Sequence, residues 1–309
     1  MQPPLKLGVV GGGRAFERLY LPILQSARSW QLISLADPDE GRRALAGAAG
    51  ATTFDTVEAM LAGPTLDAVA VLSPAGLHVA HAEAALAAGL PVLIEKPVSM
   101  ELAPIRRWHE SGWLANVTAA FPRRFWPAYQ AVRRQAAGAH QVTLGIRTDP
   151  AGWGPVTAHN LHPLADLGPH LIDLARWATG VEPASVDVAA NARGARLRFA
   201  SAGREVTLVV VHGAPYAEMA RVDGRVRRVG PPGFTESALR RLRSQGQPET
   251  AAMATMLRRW AKRVRGEETW DLPGPADVWA SVAILEAALA ALPAGRVTGL
   301  PVAPFPGND

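Results

Sequence analysis

The sequence predicts a two-domain α/β protein: a doubly wound parallel sheet over residues 1–121, followed by a second α/β domain over residues 122–309. Three observations predict it. Before residue 121, short apolar runs alternate with helical stretches, as they do when strands are covered on both faces. Polar residues gather just after those runs, at the strand ends where an open parallel sheet binds its ligands. From Gln141 the apolar period changes to two, the mark of strands with one face in solvent.

The first run, Leu5–Val10, leads into Gly11-Gly12-Gly13-Arg14 and a helical pattern through Phe16, Leu19 and Ile23 that Pro22 bends. Strand, glycine turn and helix in that order build an anion site. Gly11 permits the tight turn, Gly13 lets a pyrophosphate approach the backbone, and the helix N-terminus offers N–H groups. Arg14 stands beside them as a further candidate contact, and Phe16 takes the place of the third small residue of the dinucleotide pattern. The next strand, Gln31–Ala36, ends at Asp37. An acid there can accept from the adenosine ribose and repel a 2′-phosphate, which favours NAD; Arg42 and Arg43 keep NADP open.

Asp55 and Glu58 are spaced as a capping box for a short helix. The strand Leu66–Leu72 ends at Ser73-Pro74-Ala75-Gly76-Leu77-His78, and a helix through Ala84 and Leu86 stops at Gly89. The following strand runs into Glu95-Lys96-Pro97. Of 32 basic residues only Lys6, Lys96 and Lys262 are lysine. A compact ammonium able to exchange a proton suits chemistry at a strand end in a way that guanidinium does not, with an ordinary Glu-Lys ion pair as the alternative. Ser73, Pro74, His78, Glu95 and Lys96 are thus candidates on one rim. A helix from Ser99 to about Ser111 and a strand Asn116–Phe121 complete the domain.

Pro122-Arg123-Arg124-Phe125-Trp126-Pro127 reads as a hinge before a helix through Tyr129 and Val132. Further on, a loop through Trp153, His159 and His162 precedes Asp166-Leu167-Gly168-Pro169-His170-Leu171-Ile172-Asp173. Helical spacing puts Asp166, His170 and Asp173 on one face. A carboxylate one turn from an imidazole fixes its tautomer and raises its basicity, as a general acid/base requires. His159, His162, Asp166 and His170 also have metal-like spacings, and Pro169 threatens the helix itself. Val206–Val211 is apolar on both faces, so a second cover over that sheet, such as another subunit, is expected. Two closing helices, about Pro248–Arg265 and Ala276–Leu292, read as amphipathic core elements.

Composition narrows the class. Hydrophobic residues make up 48% and charged residues 19%, the balance of a soluble globular protein. The most apolar helix, Trp279–Leu292, carries Glu286 and is short for a membrane span. Only Met1-Gln2-Pro3-Pro4 precedes the first strand, so no leader segment and a cytoplasmic location are expected. Without cysteine, thiolate catalysis is excluded. The net charge of +5 reflects arginines between Arg221 and Arg265, read as a solvated face because no nucleic-acid module accompanies them.

Together, Gly11-Gly12-Gly13, Asp37, Ser73-Pro74 with His78, Glu95-Lys96-Pro97, Arg124-Phe125 with Pro127, and Asp166 through Asp173 resemble the Gfo/Idh/MocA oxidoreductases. The resemblance implies an NAD(P)-binding Rossmann domain followed by an α/β domain with an open, predominantly antiparallel sheet that pairs subunits into a homodimer or homotetramer. It implies a small-molecule substrate, with hydride transfer at a hydroxyl or carbonyl of a sugar, inositol or related polyol. Lys96 would touch nicotinamide ribose and substrate oxygen, His170 would exchange the hydroxyl proton, and Asp166 would orient His170. A cis bond before Pro97 is implied too. Arg124, Trp126, Trp153, His162 and Asp173 are the substrate-side candidates, the tryptophans as walls for a pyranose face. A non-catalytic dinucleotide sensor and an NAD-dependent glycosidase of the same fold stand as alternatives.

Overall fold

A computed structural model describes residues 2–150, 162–213, 215–230, 248–267 and 269–306. Its packing divides the chain into two units. The first comprises Met1–Ser99, Ala103–Pro122 and Thr250–Val278; the second comprises Met100–Leu102, Arg123–Glu249 and Trp279–Asp309.

The first unit holds six strands: β1 (Leu5–Val10), β2 (Trp30–Ala36), β3 (Thr52–Phe54), β4 (Ala68–Val71), β5 (Val92–Ile94) and β6 (Val117–Ala119). All pair in parallel, in the order β3-β2-β1-β4-β5-β6. The order reverses between β1 and β4, and the loops leaving their carboxyl ends are the glycine turn and the Ser73 loop. The connecting helices are α1 (Leu21–Leu24), α2 (Glu40–Ala48), α3 (Val57–Leu61), α4 (His78–Ala87) and α5 (Leu102–Glu110). Two local readings are corrected. Thr56, not Asp55, caps α3, its Oγ1 accepting from the Ala59 N–H at 3.2 Å. The helix after the glycines contains a π turn, Phe16–Tyr20, before α1 begins.

In the second unit α6 (Pro127–Ala136) and α7 (Pro163–Thr179) lie against a seven-stranded sheet. Its strands are β7 (Gln141–Thr148), β8 (Ser185–Asn191), β9 (Gly194–Ser201), β10 (Arg204–His212), β11 (Ala217–Val222), β12 (Arg225–Gly230) and β13 (Arg296–Pro301), ordered β12-β11-β7-β10-β9-β8-β13. Only β7 and β10 run parallel. Val206, Leu208 and Val210 bury one face of β10 against Leu167 and Leu171 of α7, while Thr207, Val209 and Val211 on the opposite face are half-buried. Helix α7 continues through Pro169 for 17 residues and ends at Gly180 in the left-handed region.

The closing helices are α8 (Pro248–Val264) and α9 (Pro275–Ala290). Residues 122–309 were expected to form one domain; Thr250–Val278 groups with the first sheet instead. The cause is the apolar face of α8: Trp260 stacks on Trp30 at 4.5 Å, and Trp30 Nε1 donates to the Leu257 carbonyl at 2.8 Å. Helix α9 departs from an amphipathic reading, with Val282, Ala283, Ile284 and Leu285 consecutively buried. Extended to Ala294 it is also long and apolar enough to cross a membrane, against the expectation from sequence; half of it is buried inside the chain, as befits a core helix.

Candidate active site

The glycine turn is built by steric demand. Gly11 sits at φ +99°, and a Cβ there would lie 2.7–2.8 Å from Ser73 N, Leu72 C and Ser73 Cα. Only glycine lets β1 and the Ser73 loop approach so closely. At Gly13 the opposite holds, since an added Cβ would meet nothing within 4 Å. The turn thus leaves open the backbone position where a pyrophosphate would lie, and Glu17 N donates to Gly13 O as the helix begins. Phe16 is fully buried beneath it. Arg14 is exposed.

Asp37, nearly buried at the end of β2, accepts from Gly12 N at 2.7 Å and from Asp39 N at 2.9 Å. It therefore fastens the glycine turn to the second strand end. Arg43 is folded onto the Asp37 and Pro38 carbonyls at 2.8 and 2.9 Å, whereas the half-exposed Arg42 reaches Asp37 at 3.7 Å. These features fit an adenosine dinucleotide: a close-packed turn, a clear path to the backbone, and an acid at the ribose position.

The Glu95-Lys96-Pro97 turn is held from two sides. Glu95 accepts from Tyr20 Oη at 2.8 Å and from the Lys96 N–H at 3.1 Å. The π turn is what brings Tyr20 here, and burial, followed by the charge and hydrogen bond of Glu95, keeps its phenol protonated far above the usual range. On the other side His78, expected as a cofactor contact, is buried with its ring nitrogens 2.7 Å from the Pro97 and Ser73 carbonyls. There it ties two strand-end loops together. Ser73 Oγ meets His81 Nδ1 at 2.9 Å; burial, against the pull of Glu58, lowers the His81 pKa. Pro74 is exposed, Lys96 half-buried, and the Lys96–Pro97 bond is cis. Lys262, by contrast, is a surface lysine 3.1 Å from Glu267.

In the second unit, four of the substrate-side candidates, Arg124, Trp126, His162 and Asp173, are engaged by partners within the chain. Arg124 and Asp173 form a buried bidentate pair, Nε to Oδ2 at 2.9 Å and Nη2 to Oδ1 at 2.5 Å. Trp126 is buried beside Tyr129, under the Arg123 guanidinium. Arg123 is itself paired at 2.7 Å with buried Glu218, which also accepts from Tyr129 and Tyr216. His162 caps α7, Nδ1 accepting from Leu164 N at 3.1 Å while Nε2 donates to the Asn191 carbonyl at 2.9 Å. Trp153 and His159 lie outside the described residues.

Asp166 and His170 stand one turn apart on α7, Asp166 half-buried and His170 buried. A residue the sequence reading missed joins them. His212, the last residue of β10, places Nε2 3.7 Å from Asp166 Oδ2. Burial lowers the His212 pKa more than Asp166 raises it. Its signal in the sequence was slight: a polar side chain ending an apolar strand. Among the described residues no three side chains converge as a metal-binding group.

Residues 5–111 match the oxidoreductase family with an NAD-binding Rossmann fold, Gfo/Idh/MocA. Over these residues the chain is similar to that family. Curated dehydrogenases are similar over a longer stretch. Inositol 2-dehydrogenase of Leifsonia xyli subsp. xyli is 31% identical over 194 residues, covering 60% of this chain and 57% of that protein. D-glucoside 3-dehydrogenase of Escherichia coli K12 is 30% identical over 191 residues, covering 57% and 54%. The aligned part of the chain thus spans little more than half the length of these curated relatives. The fold likeness reaches further: GenD2 from gentamicin A biosynthesis, solved in complex with NAD, superposes with a TM-score of 0.77 at 22% identity over 97% of this chain and 98% of that one.

Proposed function

We infer that the protein is an NAD-dependent dehydrogenase or reductase acting on a hydroxyl or carbonyl of an inositol, sugar or related polyol. The observation that carries this reading is the glycine turn, closed to a side chain at Gly11 and open at Gly13, with Asp37 fastened to it. The relatives named as inositol and glucoside dehydrogenases supply the substrate class. Asp37 favours NAD because its carboxylate would repel a 2′-phosphate and Arg43 is already committed to main-chain carbonyls.

When bound, the nicotinamide takes up or gives the hydride. The chain's own residues manage charge and proton. Lys96 stabilises negative charge developing on the substrate oxygen, and Glu95, Tyr20 and His78 fix the turn that carries it. His170 accepts the hydroxyl proton in the oxidative direction and returns it in reduction, with Asp166 favouring the charged imidazole. A cytoplasmic homodimer or homotetramer, paired through the β10 face that carries Val209 and Val211, completes the proposal.

The test is a screen of inositols, glucosides and free sugars for NADH formation. One or more should turn over, and Lys96→Ala and His170→Ala should each lower kcat by about 10²–10⁴-fold. Full turnover by His170→Ala with the same substrate would refute its acid/base role.

A further inference from the structure

Helix α7 and strand β10 meet at Asp166: the helix supplies the carboxylate and His170 one turn on, and the strand supplies His212 from the other side. We propose that His212 is a positioning residue for the acid/base group, acting through Asp166 on His170. The inference rests on the dehydrogenase reading for its purpose, since that reading gives His170 a proton to exchange.

The geometry argues for it in three ways. Buried His212 Nε2 has no hydrogen-bond partner among the described residues and faces Asp166 Oδ2 at 3.7 Å, and long contacts of this kind at a catalytic group tighten when a substrate closes the site. Both side chains are largely but not wholly enclosed, at 13% and 18% exposure, so the pair is shielded while remaining within reach of a ligand. His212 also ends a strand whose register is set on both sides, parallel to β7 and antiparallel to β9, so its backbone is well anchored.

The groups facing His212 are Asp166 from α7, His162 at the cap of that helix, and Asp149 just beyond β7. His162 has both ring nitrogens in use, which leaves Asp166 as the near partner. Burial outweighs the pull of Asp166 and lowers the His212 pKa, which favours the neutral imidazole. A neutral imidazole with its proton on Nε2 donates toward Asp166 and draws off part of the carboxylate's charge. Without that donor Asp166 becomes the stronger base and holds a proton on His170 more firmly.

The experiment is an NMR titration of the intact protein labelled at its eight histidines, comparing wild type with His212→Ala, His212→Gln, Asp166→Asn and the Asp166→Asn/His212→Ala double variant. In His212→Ala the His170 midpoint should rise by about half a unit to one unit, the effect of one hydrogen bond. His212→Gln, which keeps an N–H near the Nε2 position, should restore it, and in the Asp166→Asn background His212→Ala should have no effect. An unmoved His170 midpoint in His212→Ala, a shift that Gln does not restore, or one that persists without Asp166 overturns the proposal. None of these outcomes depends on cofactor binding, so failure of the NADH titration described below would sink the dehydrogenase reading separately.

Discussion

The two outer glycines of the turn make opposite predictions. Gly11→Ala forces a Cβ into main-chain atoms at a left-handed φ, so it should cost about 1–3 kcal/mol or more in folding stability and take dinucleotide binding with it. Gly13→Ala meets no protein atom, so thermal unfolding should be unchanged while affinity for NADH falls at least about tenfold. Calorimetric melts beside NADH titrations separate the two; a Gly13→Ala protein with full affinity would mean that the open space belongs to no ligand. Asp173 makes a third case. Removing it leaves Arg124 buried without its carboxylate, so Asp173→Ala should lose about 3–5 kcal/mol in urea unfolding rather than weaken substrate binding selectively. The glycines, Asp37 and Lys96 were legible because each is an unusual residue for its place in the chain. Tyr20 and His212 were not, because their meaning lies in partners 75 and 46 residues away on other elements.

Elements carry the next level. The strand–helix alternation of the first sheet was legible from runs buried on both faces, yet β3, only three residues long, and β12, where arginine stands at Arg225, Arg227 and Arg228, left no apolar signal. Pro169 misled in the other direction: with Leu164, Leu167 and Leu171 packed into the core, α7 stays helical through it. The start of that helix depends on His162, and His162→Ala should lower stability by about 0.5–2 kcal/mol through the lost cap. At β11, burial alone would raise the Glu218 pKa, but the charge of Arg123 and hydrogen bonds from Arg123, Tyr129 and Tyr216 outweigh it and the pKa is lowered. A carboxyl lowered on folding stabilises the protein above its unfolded value of about 4.3, and that contribution is lost as pH falls through the folded value. Urea unfolding at about pH 7 and about pH 3 should therefore show Glu218→Gln well below wild type at the first and closer to it at the second; an equal deficit at both would contradict the ion pair.

At the scale of the molecule, the chain returns to its first unit over Thr250–Val278 before ending in the second. Stacking of Trp260 on Trp30 was invisible to sequence because 230 residues separate partners that no periodicity links. Trp260→Ala should accordingly cost about 3–5 kcal/mol, measured by urea unfolding of the intact protein. The proposed function needs the first unit to hold a nicotinamide dinucleotide at the switch point between β1 and β4. Titrating the purified protein with NADH and, separately, NADPH, read by energy transfer from its nine tryptophans, tests this most directly. Saturable binding of NADH, with NADPH weaker by about tenfold or more, is the predicted result. Saturable binding of neither would contradict the account.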